Sequence, residues 1–268
     1  MKLQIRNAKN EAQGDLELPA QFNETVRADV IKRAVFSLQS NRRQKYGAHP
    51  RAGMRAVAEL SRRRRKYRGS YGFGISRVQR KIMSRRGRRF NWVGAVVPGT
   101  VGGRRAHPAK ACKDWGQSIN KKENRLAIRS AISATVQADV VKGRGHRIPK
   151  DYPFVVADDV EKIAKTKDLS NALVALGLGD ELARTANRSI RAGKGKMRGR
   201  KYKTKIGPLL VIGDACDLEK AGKNLPGVTV VKARELNAEL LAPGAAPGRI
   251  TLWTKHACEV LAKEGLFL

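Results

Sequence analysis

The sequence is poor in three things, and each scarcity removes a class of protein. Cysteine occurs three times in 268 residues, at Cys112, Cys216 and Cys258, with no C-x-x-C pair. An odd, dispersed set of thiols supplies neither a disulfide framework nor a zinc module, and suits a reducing cytoplasm. Long apolar runs are missing: nothing approaches the roughly 20 residues that cross a bilayer, and the opening MKLQIRNAKNEAQG lacks the apolar stretch of a signal peptide. The chain therefore reads as soluble, unprocessed and without a membrane partner. The third scarcity is of acid, with 23 Asp and Glu against 56 Lys and Arg and a formal charge of +33. Such an excess repels itself unless a polyanion neutralises it, and nucleic acid is the leading candidate.

The imbalance is local. Residues 42–113 hold 22 Lys and Arg against one acid, Glu59, residues 188–205 add nine bases and no acid, and the remainder is nearly neutral. The organisation expected is a globular body, 1–41 with 114–268, carrying two basic appendages: a long extended loop over 42–113 and a second over 188–205. In the first, arginine outnumbers lysine 17 to 5, accompanied by ten glycines and by Tyr46, Tyr67, Tyr71, Phe73, Phe90 and Trp92. Arginine's planar fork grips phosphate at two points, rings and guanidinium planes stack on unpaired bases, and glycine admits close backbone approach. The stretch RRRRKYRGSYGFG, 62–74, is one that no protein core would accept.

Candidate RNA contacts in the long loop are Arg42, Arg43, Lys45, Arg51, Arg55, Arg62, Arg63, Arg64, Arg65, Lys66, Arg68, Arg77, Arg80, Lys81, Arg85, Arg86, Arg88, Arg89, Trp92, Arg104 and Arg105. In the second they are Lys194, Lys196, Arg198, Arg200 and Lys201. Taken alone, a run such as Arg62–Arg65 is more often a solvated helix face or a nuclear localisation signal; its place in a 72-residue basic field favours RNA. The stretch AGMRAVAEL, 52–60, is expected to coil into a short helix.

The body shows two patterns. Val26, Val30, Ala34 and Leu38 predict a helix over 23–39, and Ile128, Ile132, Val136 and Val140 one over 120–141, opened by a capping pair of Asn120 and Glu123. After Gly143 come PFVVADD (153–159), GPLLVIGD (207–214), GVTVVK (227–232) and RITLWT (249–254), each followed by helical sequence. Continuous apolar runs alternating with helices predict a three-layer α/β/α domain around a parallel sheet of about four strands. DLSNALVALGLG should bury Leu169, Ala172, Leu173 and Leu176, and Thr254 should cap the last helix.

Catalytic signals are weak. Asp158, Asp159, Asp214 and Asp217 follow strands, where carboxylates could hold Mg²⁺ for an RNA-processing nuclease; capping of the helices that follow is the commoner use. GFGISR and GRGHRI lack the last glycine of a dinucleotide fingerprint, no phosphate-binding G-x-x-x-x-G-K-[ST] occurs, and His49, His107, His146 and His256 are scattered. No catalytic residue, metal ligand or cofactor is nominated. A DNA-compacting chromatin protein is a third reading, distinguished by comparable affinity for duplex DNA.

GMRAVAELSRRRRKYRGSYGFG (53–74), NKKENRLAIRSAISAT (120–135), KGRGHRIP (142–149) and GPLLVIGD together resemble the universal family of large-subunit ribosomal protein number four in its archaeal form, over nearly the whole chain. The resemblance implies a structural, non-enzymatic protein of the cytoplasmic large subunit, active in translation. It implies an exterior α/β/α domain and a loop threading 23S-type rRNA to the peptide exit tunnel, beside the large-subunit protein number twenty-two. The tunnel-facing tip, near the nascent peptide, would comprise Arg64, Arg65, Tyr67, Arg68 and Tyr71.

Overall fold

Leu3 and Ile5 alternate with Lys2, Gln4 and Arg6, and this period of two makes the first strand, β1 (Lys2–Arg6). In the computed structural model, which describes all 268 residues, β2 (Ala12–Glu17) pairs with it antiparallel, Lys2 opposite Glu17. Helix α1 (Ala28–Arg42) then leads into an interval whose only regular structure is the hairpin of β3 (Arg80–Arg86) and β4 (Arg89–Gly94). Next come α2 (Lys121–Val136), α3 (Ala138–Gly143), β5 (Val155–Val156), α4 (Thr166–Leu173) and α5 (Gly179–Ala186). A short hairpin, β6 (Ser189–Ile190) and β7 (Tyr202–Lys203), precedes β8 (Leu209–Ile212), α6 (Leu218–Lys223) and β9 (Thr229–Lys232). The chain finishes with α7 (Ala238–Leu241), β10 (Thr251–Thr254) and α8 (Lys255–Lys263). No helix is long and apolar enough to cross a membrane.

Two units result: a body of Met1–Arg42 with Gly116–Leu268, and an insertion of Arg43–Trp115. The body is an α/β fold on a six-stranded sheet of order β2-β1-β5-β10-β8-β9, parallel except at β2. Because successive strand residues point to opposite faces, β8 sends Leu209 and Val211 into one core and Leu210 and Ile212 into the other. The first core packs against α1, α2, α7 and α8, through Ile31, Ile132, Leu241 and Leu261; the second packs against α4 and α6, through Leu169, Leu173 and Leu218. Burial on both faces explains why these strands read as unbroken apolar runs.

The sheet is larger than the four strands expected. All four occur where the runs lie, but β1 shows only two apolar residues, and β2, exposed along most of its length, has the polar edge that discourages pairing with other chains. The helix expected over 23–39 starts five residues later. Ala20–Asn23 forms a separate 3-10 turn, anchored where buried Gln21 donates to the Leu261 and Leu266 carbonyls at 2.9 and 3.1 Å. The helix expected over 120–141 breaks at Gln137: the Tyr152 hydroxyl takes the Thr135 carbonyl that a continuous helix would give to residue 139. Asn120 makes no side-chain cap, and Glu123 instead pairs with Arg33 of α1 at 3.1 Å. Residues 52–60 form no helix: a turn at 52–53 passes into irregular chain, and Glu59 bridges to Arg80 at the start of β3. Leu169, Ala172, Leu173 and Leu176 are buried as expected, and Thr254 Oγ1 accepts from Ala257 N at 3.1 Å.

Buried charge locks the body. The Glu181 carboxylate accepts from Arg184 (2.6 Å) and from the backbone N–H of Arg147 (3.0 Å), and lies 2.7 Å from His146 Nδ1. Burial works to raise this carboxyl, but the hydrogen bonds prevail and hold it at about 2. Arg249, only 3% exposed, donates to the Gly207 and Leu240 carbonyls and to Thr229 Oγ1 at 2.8–3.0 Å. Burial, aided by nearby Arg144, lowers its guanidinium to about 10.

Candidate nucleic-acid interface

Within the body, α1 is clasped to the segment that leads into α2, where the insertion departs and returns. Ser37 Oγ donates to the Gln117 carbonyl (2.6 Å), and Gln117 N donates to Asn41 Oδ1 (3.1 Å).

The insertion's two strands of chain run side by side at its base. Ala48 N donates to the Ala109 carbonyl at 2.8 Å. A Cβ on Gly47 would lie 2.3 Å from Ala111 N, and one on Gly53, at φ +73°, 2.5 Å from the Arg104 backbone, so only glycine fits at either position. Tyr46 stacks on Trp115 at 5.2 Å, with Arg43 and Lys113 over the Trp115 ring at 4.2 and 4.5 Å. Farther along, Phe90 and Trp92 stack at 5.3 Å, Tyr67 meets Phe90 edge-on at 5.2 Å, and Arg80 lies over Trp92. Arg64 and Arg77 lie over Tyr71, and Arg77 donates to its hydroxyl at 3.3 Å. Aromatic rings expected to await bases thus first organise the arginines around them.

Almost none of this surface is buried: across Arg43–Trp115 only Gly69, Ser70 and Ala95 are inaccessible. Of the residues nominated as RNA contacts, Arg68, Arg80 and Trp92 are half-buried and every other one is exposed. Two have a carboxylate partner, Arg42 with Glu239 at 2.7 Å and Arg68 with Glu59. The second basic stretch forms the β6–β7 hairpin around a 3-10 turn at Lys194–Arg198, closed by Arg191 N donating to Lys201 O at 2.8 Å, with all five nominated residues exposed. Sequence reasoning missed Trp115 and Lys113, although an aromatic beside a basic run, KACKDWG, was the available signal. It also missed the internal β3–β4 hairpin, whose strands carry too many arginines to read as alternating.

The body's four strand-end carboxylates are engaged locally. Asp158 accepts from His256 N at 2.8 Å, capping α8 rather than the helix that follows it. Asp159 pairs with Lys162 at 3.9 Å, Asp217 with Lys220 at 3.7 Å, and Asp214 with Arg234 at 3.1 Å. Asp217 precedes α6 without a side-chain cap.

Fold and surface define a class, a basic structural protein with an α/β body and polycationic appendages. Residues 16–264 match the ribosomal protein L4/L1 family. The chain is 50% identical to large ribosomal subunit protein uL4 of Nanoarchaeum equitans, covering 100% of both. It is 44% identical to that of Archaeoglobus fulgidus, over 98% of this chain and 99% of the relative. A third relative of the same name, from Halobacterium salinarum, is 43% identical over 98% and 100%. The chain belongs to the ribosomal protein L4/L1 family. It is a structural protein of the large, cytoplasmic ribosomal subunit and not an enzyme, which disposes of the nuclease reading.

Proposed function

We propose that this protein holds large-subunit rRNA through its insertion and its second basic hairpin, at the arginines, lysines and Trp92 nominated above. The observation that carries the reading is a field of exposed cations of which only Arg42 and Arg68 have a carboxylate partner. Phosphates supply the missing counter-charge, and a planar guanidinium takes two of their oxygens at once. The insertion acts as an RNA-binding arm, and the α/β body as its anchor.

Family resemblance directs the stretch 62–71 to the peptide exit tunnel, with Arg64, Arg65, Tyr67, Arg68 and Tyr71 at the tip, near the nascent peptide and the large-subunit protein number twenty-two. Exposed guanidiniums there would offset the negative potential of RNA walls over roughly a Debye length, about 8 Å at physiological salt. The test is a photocrosslinker at Arg64 in assembled subunits carrying a stalled nascent chain. Labelling of both rRNA and peptide is expected. Labelling of rRNA alone would remove the tunnel from this reading, and labelling of neither would remove the RNA contact as well.

A further inference from the structure

One cavity of the insertion combines features that a phosphate-binding surface does not require. It is a half-open cleft of about 740 Å³, within the range of roughly 300–1,000 Å³ typical of small-molecule sites. Its walls join Tyr67, Phe90 and Trp92 to Arg65, Arg88 and Arg89, and include no carboxylate. The rings are held in place: Phe90 and Trp92 stack with planes 27° apart, and Arg85 Nη1 donates to the Tyr67 hydroxyl at 3.3 Å. Along the same wall Arg65 and Arg68 adopt φ of +56° and +59°. A left-handed backbone is costly for a side chain other than glycine, and such residues gather where a ligand is gripped.

We propose that this cavity receives one unpaired base turned out of the RNA, its ring against Tyr67, Phe90 and Trp92 and its flanking phosphates on Arg65, Arg88 and Arg89. Composition selects this occupant. A bare phosphate has no use for three aromatic rings, and an apolar peptide side chain none for a wall of guanidiniums. A nucleotide uses both, and proteins read single-stranded RNA by stacking extruded bases on aromatic and guanidinium planes. The inference rests on the RNA-binding reading and sharpens it: without the cavity the arm would track the phosphate backbone only, whereas with it the arm registers on one unpaired position.

The test uses the full-length protein and three RNA hairpins with the same stem, bearing a single bulged adenosine, an abasic bulge, or no bulge. The bulged adenosine should bind about tenfold more tightly than either other RNA, inside the roughly 5- to 150-fold worth of one base–aromatic stack. Trp92→Leu, with thermal unfolding unchanged, should abolish that preference while leaving the salt dependence of binding intact. Equal affinity of the wild-type protein for all three, still steeply salt-dependent, overturns the cavity and spares the RNA-binding reading. Failure to bind any of them overturns both. Displacement of the bulged RNA by micromolar adenosine monophosphate would make a free nucleotide the occupant and likewise overturn the proposal.

Discussion

The body and the insertion are made of one chain, yet different forces hold them. In the body, alternate residues of each central strand enter two apolar cores, and buried charges such as Glu181 and Arg249 are surrounded by partners. In the insertion three residues are buried, and order comes from glycine turns, one hairpin, and arginines laid on rings. An exposed cation–π contact is worth about 0.5–1 kcal/mol, whereas ordering one residue costs about 1–2 kcal/mol of backbone entropy. A hairpin with no apolar face is marginal in water. Hydrophobic burial holds the first region; in the RNA-binding reading proposed above, phosphates supply the counter-charge that the second lacks.

The comparison breaks most plainly if the insertion turns out to support the body. Replacing residues 44–112 with a short linker should leave a cooperative thermal transition, since both cores and the Ser37–Asn41–Gln117 clasp lie outside that span. RNA affinity should fall by about a thousandfold near physiological salt. The log–log salt slope, near about −7 to −9 in the intact protein if ten phosphates are neutralised, should drop to less than half. Loss of the transition would show that the insertion supplies core contacts.

A body lesion should do the reverse. Arg249→Ala leaves buried carbonyls without donors, and about 3–4 kcal/mol of stability should disappear in denaturant unfolding while the RNA salt slope stays unchanged. A flattened slope would mean that the body's interior governs the RNA surface. Acid gives the smallest effect. With Glu181 held at about 2, its contribution is complete above the unfolded carboxyl's pKa of about 4.3 and vanishes as pH falls toward 2. Between pH 5 and 2.5 this one group should account for about 2–3 kcal/mol of lost stability, and Glu181→Gln should be weaker at neutral pH and flatter across that interval.

Apolar runs made the core strands legible, because β8 and β10 are buried on both faces and tolerate no polar residue except at a strand end. β2 was not legible, since an edge strand is built from residues that suit a loop. Helix ends were misjudged where side chains far along the chain decide them: Tyr152 reaches back to Thr135, and Ser130 fixes Arg27 N at 2.6 Å. Charge composition picked out a field of cations that the structure leaves almost wholly exposed. Phe90 and Trp92 alternate onto one face of β4, but charge composition could not reveal that Tyr67, 23 residues before Phe90, folds back to share their cavity wall.

The position of β10 has a consequence in time. It lies between β5 and β8 and pairs with both, so the sheet stays in two halves until Thr254 has been synthesised. Residues 43–115 are made long before. At about 5–20 residues per second, roughly 7–28 s separate the completion of the insertion from that of the strand which closes the body. During that interval the growing chain presents its most basic segment without a finished anchor, and whichever polyanion reaches it first meets an arm that is ready before the domain that holds it.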